Sequence, residues 1–136
     1  MNLTPYLLFD GHCEEAFTLY ARVLGAPAAE FSRFAQTPMA GQVGPDWAQK
    51  IIHADLKIGN QILMGSDAPP AHYKPPQGIS ICINFDSEAE AERVYKALSE
   101  SGKIVMALQE TFWAKRYGQI VDRFGIPWMF NVPKAM

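Results

Sequence analysis

One pattern recurs half-way along the chain. Leu7-Leu8-Phe9-Asp10, followed by Glu15-Ala16, Tyr20 and Leu24, returns as Ile83-Asn84-Phe85-Asp86, followed by Glu90-Ala91, Tyr95 and Leu98. Phe9 and Phe85 stand 76 positions apart, whereas Ala16 and Ala91, like Tyr20 and Tyr95, stand 75 apart. The order of residue types is kept better than their identity, as expected of two copies of one supersecondary unit. A chain of 136 residues so divided is a single domain or two half-domains. The boundaries read as module one over 1–67, a linker over 68–77 and module two over 78–136.

Each half reads as a strand, a helix and then more strands. In the first, residues 4–9 form a strand, and Ala16, Phe17, Tyr20, Val23 and Leu24 share one face of a helix over 13–24. Gly25 stops that helix. Residues 29–35 form a second strand. Over 50–58, Ile52, Ala54, Leu56 and Ile58 alternate with His53, Asp55 and Lys57. Gly59-Asn60 turns the chain into a return strand over 61–65.

In the second half Ile79, Ile81, Ile83 and Phe85 alternate with Ser80, Cys82 and Asn84. Ser87 and Glu90 have capping-box spacing at the head of a helix over 87–101, with Ala91, Val94, Tyr95 and Leu98 on its apolar face. Strands follow over 103–109 and 117–122, and Asp122-Arg123-Phe124-Gly125 turns into a last strand over 126–132. Gln36–Gln49, broken by Pro38, Gly41, Gly44 and Pro45, reads as a mobile loop. Pro69, Pro70, Pro75 and Pro76 stiffen the linker.

Composition excludes several functions. With 49% hydrophobic and 19% charged residues a packed core is available, and disorder is not expected. A net charge of −2 lacks the clustered positive charge of a nucleic-acid binder. No apolar run reaches the roughly 18 residues that span a bilayer, and Met1-Asn2-Leu3-Thr4-Pro5 carries no basic segment of a signal peptide. Cys13 and Cys82 read as buried small hydrophobes. They have no CxxC spacing, so neither a disulfide framework nor a zinc–cysteine site is expected, and a reducing cytoplasm fits.

The stretch Gln109-Glu110-Thr111-Phe112-Trp113-Ala114, then Tyr117-Gly118, Asp122-Arg123-Phe124-Gly125 and Pro127-Trp128-Met129, resembles the PhnB-like branch of the vicinal-oxygen-chelate superfamily. That superfamily includes glyoxalase I, bleomycin-resistance proteins and extradiol dioxygenases. Pro5-Tyr6-Leu7-Leu8-Phe9, Glu15-Ala16, Val23-Leu24-Gly25 and Leu63-Met64-Gly65-Ser66-Asp67 support the match over almost the whole chain. The resemblance implies an α+β fold of two βαβββ modules, whose curved sheet surrounds a cleft, and a homodimer.

The resemblance also implies where a metal would sit in the glyoxalases and dioxygenases: on the first and last strands of each module. Those positions read here as Thr4 or Pro5, Ser80, Met64 and Met129, a poor donor set for a hard divalent ion. No metal site and no cofactor are therefore expected. Some members of this branch carry a ubiquinone-related methyltransferase label, but no strand, glycine-rich turn and helix in the adenosylmethionine pattern is readable. Phosphate loops, GxSxG and HExxH are missing from the sequence too.

Four residues are the candidate ligand wall: His53, Met64, Trp113 and Trp128, with Trp128 open to a core placement instead. His53 and Asp55 share a strand face, either for general-base work or as a local ion pair. Glu110 is a second candidate base, or an acceptor that fixes its turn. Phe112 and Trp113 suit a ligand wall, a dimer anchor or core. Met64 and Met129 give a soft surface for an apolar or aromatic ligand, or fill the core. Three functions remain open. The first is metal-independent binding of a small apolar or aromatic molecule. The second is an enzyme on the same scaffold using His53, Glu110 or a recruited metal. The third is a homodimeric interaction protein with a vestigial cleft.

Overall fold

A computed structural model describes residues 1–134. Its strands and helices follow in the order β1 (Tyr6–Phe9), α1 (Cys13–Leu24), β2 (Glu30–Arg33), β3 (Ile51–Ile58) and β4 (Gln61–Asp67). The second half repeats that order with β5 (Ile81–Asn84), α2 (Glu88–Ser99), β6 (Lys103–Gln109), β7 (Ala114–Val121) and β8 (Pro127–Pro133). Contacts divide the chain at Pro75 and Pro76 into two compact units.

The two units have one topology. The first sheet runs β1-β4-β3-β2 and the second β5-β8-β7-β6. In each, the first strand pairs in parallel with the last, and the other pairs are antiparallel. The fold is α+β with two βαβββ modules, as the repeat predicts.

In the first unit the apolar stripe of α1 meets one face of the sheet. Phe9, Ala54, Leu56 and Leu63 of the strands are buried, as are Ala16, Phe17, Tyr20 and Val23 of the helix. The Phe17 ring stands edge-on to Phe9 at 5.9 Å, so shape as well as area holds the pair. Gly65 lets this happen: a Cβ there would lie 2.8 Å from both the Leu7 carbonyl oxygen and Phe17 Cε1. Gly25 adopts φ 68° and ends α1.

A buried carboxylate joins three of the elements. Asp67, at the end of β4, accepts hydrogen bonds at 2.9 Å from the backbone N–H of Cys13 at the head of α1 and from that of Ile51 at the head of β3. It serves one of the helix's unpaired amides in place of the usual capping side chain, since His12 at the N-cap makes no side-chain cap. Arg33 at the end of β2 clamps Glu14 of α1 with a 2.7 Å ion pair, which holds the Glu14 carboxyl below its ordinary range.

The second unit packs in the same way. Trp128, Phe130 and Val132 of β8 and Ile120 of β7 are buried, as are Ala91, Val94 and Leu98 of α2. Tyr95 stands edge-on to Phe130 at 5.5 Å. The Ser87 hydroxyl caps α2 by accepting from the Glu90 N–H. The β7–β8 turn is built on a second buried carboxylate, Asp122, which accepts from the Phe124 and Ile126 amides and from the Trp128 indole at 2.8 Å. Gly125 takes φ 88° in that turn.

Three expectations are corrected. The segment read as a mobile loop is folded into 3-10 turns at Phe34–Gln36, Pro38–Gln42 and Pro45–Trp47. Pro38 and Pro45 start two of them where no amide donor is needed, the Thr37 hydroxyl caps the middle one, and Ala35 N–H to Ala48 O at 2.8 Å ties the ends together. Strand β7 begins at Ala114 rather than 117, because Thr111 closes its turn onto Ala114 through backbone and hydroxyl. Cys82 is exposed, not buried, since its side of β5 faces away from α2.

The packing at Gly65 carries a test. Gly65→Ala should lower the unfolding free energy by about 1–3 kcal/mol through overpacking against Phe17 and Leu7. Gly41→Ala, with open space around its Cβ, should change it by less than about 0.5 kcal/mol. Urea midpoints at constant m-value read both.

Candidate functional site

In each unit one sheet face is covered by a helix and the other is open. Strand alternation decides what the open face carries. In the first sheet Tyr6 of β1 and Asp55 of β3 flank Met64 of β4 in register. His53, two residues before Asp55, shares their face and pairs with Ser32 of β2.

These side chains form a hydrogen-bonded chain. The Tyr6 hydroxyl lies 3.1 Å from His53 Nδ1, and His53 Nε2 lies 3.1 Å from Asp55 Oδ1. A carboxylate only accepts, so Nε2 carries the hydrogen. Nδ1 is then the free acceptor and Tyr6 the donor. The rings of Tyr6 and His53 are 5.7 Å apart and tilted. The His53 and Asp55 side chains are about a third exposed, at 38% and 32%, so solutes reach them. A small cavity of about 80 Å³ opens beside Asp55, lined by Pro27, Ala28, Glu30 and Lys57 as well.

The second sheet has matching positions with different chemistry. Cys82 flanks Met129 where Tyr6 flanks Met64, and Gln119 lies across from Met129 where Asp55 lies across from Met64. Tyr117 then takes the place of His53. Gln119 Nε2 donates to the Tyr117 hydroxyl at 3.1 Å, a pair without a carboxylate or an imidazole. The register partners of the two methionines on the first strands are Tyr6 and Cys82.

An aromatic group stands out beside this face. Phe112 is 88% exposed and Trp113 is 47% exposed. Trp113 packs edge-on to Phe112 at 4.8 Å and to Tyr117 at 5.3 Å. The turn that presents them is fixed by Thr111, so the rings are held while their faces stay open.

Two of the expected site residues are placed elsewhere. Trp128 lies on the helix-facing side of β8 with 1% of its surface exposed and its indole bound to Asp122, so it belongs to the core and offers no ligand wall. Glu110 points to solvent and pairs with Lys134 at 3.3 Å, an exposed ion pair without a catalytic partner. Tyr6 was missed in the sequence. Its spacing from Phe9 places it on the open face, but nothing short of the β1–β4 register sets it against His53.

A family model described as 3-demethylubiquinone-9 3-methyltransferase matches residues 1–130. Protein YjdN of Escherichia coli is 38% identical over 98% of this chain and 97% of its own length. The chain belongs to this PhnB-like family. Among solved structures, protein PA1353 from Pseudomonas aeruginosa superposes with a TM-score of 0.89 at 43% identity, covering 99% of both chains. A putative 3-demethylubiquinone-9 3-methyltransferase, the PhnB protein from Bacillus cereus, reaches 0.80 at 24% identity over 97% of this chain and 99% of that one. A glyoxalase/bleomycin resistance/dioxygenase family enzyme from Burkholderia phytofirmans reaches 0.63 at 11% identity over 96% and 97%, which shows the shared fold.

Within this PhnB-like chain the donor set does not suit the divalent ions of the wider fold. Among the described residues no three His, Cys, Asp or Glu side chains converge as such an ion would need. The His53–Asp55 pair has both imidazole nitrogens engaged, and Met64 beside it is a soft thioether.

The two thiols make a prediction. Burial and the charge of Asp67 push the Cys13 thiol far up, whereas Cys82 is raised by partial burial alone. One thiol per native chain should therefore react with a disulfide reagent, more slowly than free cysteine. Cys82→Ser should abolish that reaction, and Cys13 should react only on unfolding.

Proposed function

We propose that this PhnB-like protein binds a small apolar or aromatic molecule without a metal. The observation that carries this reading is the fixed, open aromatic group of Phe112, Trp113 and Tyr117. Rings of this kind offer a large contact area with little rotamer entropy to lose. Met129, on the open face with Tyr117, adds a deformable thioether surface. Met64 and His53 give the other sheet an apolar floor with one titratable group.

The methyltransferase name of the family model would require adenosylmethionine, and the strand-to-helix turns do not fit it. Gly11 in the β1–α1 turn is packed under Lys50 and Trp47, and the first amide of α1 is taken by Asp67. Both helices carry two acidic residues in the first turn, which oppose a ligand carboxylate there. We therefore derive no methyl transfer.

Titration with a panel of naphthols and quinones tests the binding reading. Ligands that bind should quench or shift tryptophan fluorescence, and Trp113→Ala should weaken binding by roughly 1–3 kcal/mol. If no member of the panel binds, or if Trp113→Ala binds as the wild type does, the reading is wrong and an interaction protein takes its place. We extend the proposal to a homodimer in the cytoplasm. Edge strand β6 exposes Ile104, Val105 and Met106, an apolar strip that a second copy would cover. Light scattering at micromolar concentration should give twice the chain mass, and a monomer would remove this part of the proposal.

A further inference from the structure

We propose that Tyr6, His53 and Asp55 form a proton relay that takes the proton of an acidic hydroxyl on an aromatic ligand and holds the ligand as its anion. The proposal rests on the part of the binding reading that gives Met64 and His53 of the first sheet an aromatic ligand's body, and adds what that reading does not contain: a hydroxyl on the ring and a change of its protonation.

The geometry sets the direction of transfer. Tyr6 donates to His53 Nδ1 at 3.1 Å, and His53 donates from Nε2 to Asp55 at 3.1 Å. Tyr6 is 47% exposed, so its oxygen can accept from a ligand while its own hydrogen points at the imidazole. When a ligand hydroxyl meets Tyr6 Oη, the ligand O–H bond breaks and a new Oη–H bond forms. The hydrogen first on Oη passes to Nδ1. The ligand is left as an oxyanion hydrogen-bonded to a neutral Tyr6. His53 becomes imidazolium and faces the Asp55 carboxylate through the bond it already makes. Two protons have each moved one position, the net transfer is one proton from ligand to His53, and no electron has left either partner.

The surroundings fit a ring rather than a chain. Met64 lies in register between Tyr6 and Asp55, so a flat ligand that reaches Tyr6 rests on a thioether. Glu30, in register with Asp55, and Lys57 border the same small cavity beside Asp55. The corresponding Cys82, Gln119 and Tyr117 of the second sheet cannot do this, because Gln119 neither holds a charge nor takes a proton.

The probe is 4-nitrophenol with 4-nitroanisole as its non-ionising partner, titrated into the full chain close to the pH at which free nitrophenol is half ionised, above the ordinary imidazole range. Calorimetry reads binding, and visible absorbance reads the nitrophenolate. The wild type should bind nitrophenol at least about tenfold more tightly than nitroanisole and convert the bound fraction to nitrophenolate, with less than one proton released to buffer. Tyr6→Phe and His53→Gln should each bring the two affinities to within about twofold of one another and abolish the nitrophenolate band of the bound fraction, with the circular dichroism spectrum unchanged; the ratio of the two affinities, not the level of nitroanisole binding, reads the relay. Asp55→Asn should shrink the band several-fold. If both probes bind equally and the bound nitrophenol stays neutral, the relay is wrong and the binding reading stands. A nitrophenolate band unchanged in Tyr6→Phe and His53→Gln also overturns the relay. If neither probe binds, the relay falls together with aromatic binding.

Discussion

A carboxylate with no water to solvate it holds the first unit together. Asp67 closes β4, and its two oxygens take up the amides that open α1 and β3. Without it both amides would be buried and unpaired, at a cost of about 1–3 kcal/mol each. The register of β1, β3 and β4 is fixed from this point. Counting back three residues along β4 places Met64 between Tyr6 and Asp55, so the positions of the open-face side chains follow from a bond made on the other face. Asp122 does comparable work in the second unit, where it closes the β7–β8 turn and anchors Trp128.

Both units use the same division of labour. A helix covers the central strands of a four-stranded sheet on one face, and the side chains of the other face take little part in the core. The first unit uses that other face for titratable groups, His53 and Asp55. The second has Tyr117 and Gln119 at the same positions and adds exposed aromatic rings at the neighbouring turn. The core needs few polar atoms, so the chemistry concentrates on the open faces.

Much of the fold was legible because the period of the hydrophobic pattern carries it. Ala16, Phe17, Tyr20 and Val23 mark the buried stripe of α1, and the alternation from Ile51 to Ile58 marks β3. Sequence reading failed where one residue has two uses. Trp128 begins the closing strand and reads as ligand wall or core, and alternation within β8 decides for the core, with Phe130 and Val132. Pro38, Gly41, Gly44 and Pro45 break regular helix and strand, and the same residues open 3-10 turns that tertiary bonds then pin. Half of the candidate site was readable, since a His and an Asp two apart on a strand share a face. Tyr6 was not, because it joins them through a pairing 47 residues distant in the chain.

The chain shares its fold with a glyoxalase/bleomycin resistance/dioxygenase family enzyme, and its first open face carries a thioether and an imidazole with both nitrogens engaged, a poor set for a hard divalent ion. The proposed binding therefore needs no metal. The most direct measurement is the affinity of the chain for a small hydroxyaromatic before and after dialysis against a strong chelator, with elemental analysis of both samples. Equal affinities within twofold, with less than about a tenth of an equivalent of any transition metal in either sample, are predicted. Binding that vanishes on chelation and returns with one equivalent of zinc, nickel, iron or manganese would contradict the account.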